Sequence, residues 1–129
     1  MPYRINIDEG KKRTLIAWTG VMSDEQLLEC QQELWAMPEI RAFDEIADFR
    51  GLEALTVTTS GIEQLATAGA EHDSGVSKRL AIVTKNDIEF GLSRMYEAFR
   101  ELAQDNHRVT KVFQGMDDAI AWLEAEPDA

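Results

Sequence analysis

The chain has 129 residues, a length that suits one domain, and carries 24 acidic against 13 basic side chains for a formal charge of -11. That balance sets aside nucleic acid and anionic membrane surfaces as partners, since both are bound by pairing phosphate with Lys and Arg; it favours solubility, and its sharper reading is a basic protein partner. Cys30 is the one cysteine, so no disulfide forms within the chain, and with no apolar run of signal-peptide or membrane-spanning length the expectation is a soluble, cytoplasmic protein.

The stretches RINID and TLIAWTG are β-rich and flank the turn signal DEGKK, which predicts a hairpin of residues 3–8 and 14–19. SDEQLLECQQELWAMP follows. Ser23 with Gln26 three residues on makes a capping box, and Leu27, Leu28, Cys30, Leu34, Trp35 and Met37 recur at helical spacing. Pro38 ends that helix, because it disfavours helical geometry in the residue before it. EIADF, residues 45–49, is short, is bounded by the turn signal RG, and predicts a third strand.

TTSGIEQLA, residues 58–66, opens a second helix. EHDSGVS reads as a loop and RLAIVTK, residues 79–85, as a buried strand. Asn86 and Glu89 make another box before a long helix over residues 88–103, on which Ile88, Leu92, Met95, Phe99 and Leu102 form an apolar stripe expected to face the core. RVTKVFQ gives a last strand and residues 116–124 a last helix, with Ile120 and Leu123 inward.

The order β-β-α-β-α-β-α-β-α predicts an α/β fold. A mixed five-stranded sheet is covered by four helices, parallel but for its first strand, as a single domain over residues 1–129. No repeat, linker or low-complexity segment interrupts it.

Three segments carry a family resemblance: DFRG at the third strand, TSGI at the next helix start and the final FQGMDDAIAWL. With the element order, they resemble the STAS or anti-sigma factor antagonist (SpoIIAA-like) superfamily. The run IEFGLSRMYEAF resembles a branch of small bacterial SpoIIAA-like proteins whose long helix carries an FGLxRMYE-type segment. The resemblance spans nearly the whole chain. It implies a regulatory module that acts by binding a protein. In STAS regulators a loop of the type D-S-S-G is phosphorylated on its first serine. That pattern sets Thr58 at the acid, Thr59 at the phosphorylated position, and Ser60 and Gly61 at the last two. Thr59 and Ser60 are thus the candidate phosphorylation sites that the resemblance implies.

The plainer reading of TTSG is a helix cap, with Ser60 preferred as the capping residue and Glu63 completing a box. A Walker-type loop would need more glycines and a closing Lys. His72, in the loop beside Asp73, and His107 stand apart from each other and from Cys30, so no zinc ligand set and no cofactor is expected. No G-x-S-x-G occurs, so no enzyme is expected, although an enzyme of unrecognised type stays open. Phe90, Arg94, Glu97 and Glu101 fall opposite the apolar stripe of the long helix. Phe90, Gly91, Arg94 and Tyr96 are the candidate interaction surface, toward a homodimer or another protein. Trp18, Trp35 and Trp122 read as core or core edge. A module for a small apolar ligand or lipid is the alternative, with extra volume beside Met95, Tyr96 and Phe99 as its mark.

Overall fold

A computed structural model describes residues 2–72, 78–102 and 108–125, all but the side chain of residue 108. The hairpin is β1 (Tyr3–Asp8) and β2 (Arg13–Met22). After it come α1 (Asp24–Trp35), a short 3-10 turn (Pro38–Ile40), β3 (Asp44–Leu55), α2 (Thr59–His72) and β4 (Lys78–Val83). The chain continues through α3 (Asp87–Leu102), β5 (Arg108–Phe113) and α4 (Met116–Glu124). The sheet order is β1-β2-β3-β4-β5, antiparallel between β1 and β2 and parallel elsewhere. Five strands, four α-helices and a mixed sheet are as the alternation of periods predicts.

β3 is the element that departs most from expectation. It runs through the RG signal instead of ending there. Asp48 pairs with Ala17 while Gly51 pairs with Thr19, so β3 carries one residue more than β2 at that step. RG therefore marks a bulge, and the Arg50 guanidinium turns back to donate to Asp48 at 2.9 and 3.0 Å. Burial alone would raise the Asp48 carboxyl; the bonds from Arg50 outweigh it and hold it below its usual range.

One face of the sheet packs under α1, α2 and α3. Tyr3, Ile16, Trp18, Leu80 and Ile82 meet Leu27, Cys30 and Leu34 of α1, Ile62, Leu65 and Ala66 of α2, and Tyr96 of α3. The other face packs Ile46, Ala81 and Val83 against Ala119 and Leu123 of α4. Arg79 fastens that helix by donating to the carbonyls of Trp122, Leu123 and Ala125, which have no partner within the helix. Trp18 is fully core, whereas Trp35 and Trp122 are half-buried at its edge. His72 ends α2 and stacks on Trp35 at 5.1 Å, so it is not in a loop. Asp73, His107 and Ala103 lie outside the described residues.

The long helix α3 corrects the sequence reading. Its buried residues are Glu89, Ser93, Tyr96 and Arg100. Each stands one position after a member of the expected stripe, a turn of about 100°. Leu92, Met95 and Phe99 are half-buried, while Ile88 is 71% and Leu102 81% exposed. Arg100 is fully buried and donates to the Tyr96 hydroxyl at 3.3 Å. It lies against α2 at Gly69, where a Cβ would come within 2.5 Å of Arg100 Nη1.

The two helical glycines should therefore respond oppositely to alanine. Gly69→Ala overpacks Arg100 and should cost about 1–3 kcal/mol before a propensity gain of up to about 1 kcal/mol. Gly91 has nothing within 4 Å of a built Cβ, so Gly91→Ala should stabilise by about 0.5–1 kcal/mol. Urea titrations of both variants check this, and equal responses would refute the packing of Arg100 against Gly69.

Candidate functional site

Three places hold the residues singled out in the sequence. The first is the start of α2. Thr58, not Ser60, caps it: Thr58 Oγ1 accepts from the Gly61 N–H at 3.0 Å, and the Thr58 carbonyl accepts from Ile62 at 3.0 Å. The helix begins two residues earlier than a Ser60 cap requires, because Asp24 fixes Thr58 from outside. Asp24 accepts from the Thr58 N–H at 2.9 Å and from its hydroxyl at 2.6 Å. Asp24 is the first residue of α1, behind Ser23, whose hydroxyl accepts from the Gln26 N–H at 3.2 Å. The two helix starts are thus tied through one carboxylate. Gly61 is what admits it, since a Cβ there would overlap the Asp24 carboxylate. Thr59 and Ser60 are exposed on the first turn of α2. Asp24, distant in sequence, thus brings an acid beside the first turn of α2.

The second place is α3. It opens with a box, as expected: the Glu89 N–H donates to Asn86 Oδ1 at 2.9 Å, and Asn86 Nδ2 donates to Glu89 Oε2 at 3.0 Å. The Lys85 N–H donates to Glu89 Oε1 at 3.1 Å. The candidate interaction residues divide. Gly91 and Arg94 are exposed, with Arg94 3.7 Å from Glu97. Phe90 is half-buried on the far flank, and Tyr96 is buried at 7% exposure, so Tyr96 belongs to the interior and not to the outer surface.

The third place is a pocket between the sheet and α3, with a cavity of about 60 Å³. Its wall is mainly apolar, including Ile16, Leu65, Ile82 and Leu92, with Gln31, Glu45, Glu89, Ser93 and Tyr96 among them. The hydroxyl oxygen of Ser93 is buried without a protein partner. Glu45 is held by Lys78 at 3.1 Å in a pair that is itself buried. A second groove, about 740 Å³ and open, runs along the opposite face between the hairpin and α4, over Leu15, Ile46, Met116 and Ile120.

Cys30 is buried on the inner side of α1. Burial, with Glu33, Glu45 and Glu29 nearby, pushes its thiol up to about 12, which keeps it protonated and unreactive. The hydrogen bond of 2.7 Å to Glu33, reinforced by burial, pushes the neighbouring Tyr3 phenol upward as well. Among the described residues no group of three or more His, Cys, Asp or Glu side chains gathers as a metal ion would require. No helix of the described residues is long and apolar enough to cross a membrane.

With this geometry the chain resembles an uncharacterised protein of the DUF3478 family from Shewanella loihica, whose crystal structure has a SpoIIAA-like fold. The TM-score is 0.55 at 18% identity, over 94% of this chain and 91% of that one. The fold is SpoIIAA-like. No protein-family model and no curated protein matches the chain. In this SpoIIAA-like fold the start of α2, the outward side of α3 and the pocket beneath α3 were the three places to weigh. Sequence reasoning reached the first two, and it set the third as the mark of a small-ligand module; of Met95, Tyr96 and Phe99, Tyr96 lines the pocket. It missed Asp24 and Ser93, which have no local signal: one acts across the fold and the other sits on a face expected to point elsewhere.

The cap is open to test by exchange. Thr58→Ala should lower stability by about 0.5–2 kcal/mol, whereas Ser60→Ala should change it by less than about 0.5 kcal/mol. Denaturant titration distinguishes the two, and the reverse ranking would return the cap to Ser60.

Proposed function

We propose that this chain is a non-enzymatic interaction module of STAS-like type, and that its contact is with a second copy of itself through the outward side of α3. The observation that carries the reading is the series Ile88, Gly91, Met95, Ala98 and Leu102. Its steps alternate between three and four residues, the spacing at which two helices interlock side by side. Ile88 and Leu102 are the most exposed large apolar residues among those described, and Gly91 and Ala98 are exposed between them. The series is nearly a palindrome about Met95, large at the ends and centre and small between. An antiparallel pair sets Ile88 against Leu102 of the second copy, Gly91 against Ala98, and Met95 against Met95. Such a patch is complementary to itself, as a two-fold interface demands.

Two features limit the strength of this dimer. A helix of this length is about 24 Å long, so the seam is smaller than the roughly 800 Å² per partner of a standard interface. Each copy also brings a formal charge of -11, which opposes association. The dimer should thus be weak and should tighten as salt screens that repulsion. Sedimentation velocity over a concentration series, at low and high salt, measures both. Leu102→Glu should weaken association by at least about 100-fold, since it removes a buried apolar side chain from each copy. A wild-type chain that stays monomeric at every concentration and salt would end the reading.

Phosphorylation at Thr59 or Ser60 is a second proposal, supported by their exposure and by the acid that Asp24 supplies beside them. The start of α2 favours an added phosphate, while the Asp24 carboxylate opposes it. Intact mass of the chain from its native host, with and without stress, should show a gain of one phosphate on Thr59 or Ser60. Unmodified chain under all conditions would count against it.

A further inference from the structure

We infer that the pocket beneath α3 is a binding site for a small organic cation, a methylammonium ion or one of like size. The volume sets that size. About 60 Å³ is the share of about two water molecules in the liquid, so a ligand of about two heavy atoms fits and a longer chain does not. The wall sets the kind of ion. It is mainly apolar, and three aromatic side chains, Trp18, Phe49 and Tyr96, stand in it. Aromatic rings are negative on their faces, which favours a cation over an anion. Calcium or magnesium would need about six oxygen ligands, and a wall this apolar does not supply them.

The charge is set by Glu89. The charged side chains that line the pocket are carboxylates, Glu45 and Glu89. Glu45 is answered by Lys78 at 3.1 Å. Glu89 is 3% exposed, and its oxygens accept from the Lys85 N–H at 3.1 Å and from Asn86 Nδ2 at 3.0 Å. Both donors are neutral, and among the described residues no Lys, Arg or His side chain forms an ion pair with it. The N-terminus of α3 answers about half of the charge and leaves the rest. Each oxygen has accepted one bond and keeps room for a second. Ser93 stands one turn further along the same side of α3 and also lines the pocket. It is 3% exposed, and its hydroxyl oxygen has no hydrogen-bond partner. An ammonium group carries N–H donors for both acceptors, and its methyl group meets the apolar wall. An anion would meet Glu89 at low dielectric, and a neutral ligand would leave its charge unanswered.

The probes are methylammonium chloride and methanol, matched in heavy atoms, titrated at neutral pH into isotopically labelled protein followed by NMR. Potassium chloride holds the ionic strength constant. Methylammonium should move the signals of Trp18, Ile82 and Leu92 in a saturable way, and methanol should bind at least about 10-fold more weakly, since hydrogen bonds to a charged group are the stronger ones. Glu89→Gln keeps an acceptor for the Lys85 N–H, and glutamine also closes a capping box, so this variant should fold. It should bind methylammonium about 10-fold more weakly than wild type. The inference is overturned if methylammonium leaves those signals unmoved in the wild type. It is equally overturned if methanol binds as well as methylammonium, or if folded Glu89→Gln binds methylammonium as the wild type does. The comparison of the two probes on wild type stands even if the variant does not fold.

Discussion

Arg100 is a guanidinium with no surface left to solvent, and the placing of α3 follows from it. A buried cation must keep its hydrogen bonds, so its position is far less negotiable than that of a leucine. The Tyr96 hydroxyl lies on the same side one turn earlier and accepts from it. Gly69 on α2 leaves the room it occupies. Together these fix the rotation of α3. The helix turns Glu89, Ser93, Tyr96 and Arg100 inward, and its apolar stripe moves aside. The outward apolar series and the polar groups in the pocket wall are two results of that one rotation.

Period and punctuation were enough to read the order of elements in the sequence. Strand-rich runs between turn signals became strands, and the boxes at Ser23 and Asn86 began helices where they were expected. Two local signals misled. RG looked like the end of a strand because glycine usually punctuates, yet here β3 continues on the far side of a bulge. On α3 the apolar period was genuine, but the helix does not bury its most apolar side. Periodicity assumes that it does, and a single buried Arg with its glycine seat, some thirty residues away in sequence, is enough to break the assumption.

The start of α2 shows the same limit from another side. TTSG offers three hydroxyls, and each is chemically able to cap. The choice among them is made by Asp24, which belongs to α1 and reaches Thr58 across the fold. Gly61 lets that carboxylate in, since a Cβ there would overlap it. Capping strength can be read locally, whereas the register of a cap can depend on a side chain from another element.

The proposed pocket and the proposed seam lie on one helix. Ser93 faces inward and Met95 toward the seam, two residues apart on the same turn, so neither can shift along the helix axis without the other. A molecule that displaced α3 from beneath would also displace the surface that a second copy would read. Such coupling has to be reciprocal in free energy, whichever site fills first. Arg100 sets its size. While Arg100 holds α3 against Gly69, a ligand that fits the existing cavity leaves the seam where it is, and coupling is small. A ligand too large for the cavity has to lift the helix off Gly69 and forfeit the hydrogen bond to Tyr96. The contact that positions the helix is therefore also the resistance against which any signal through it would work.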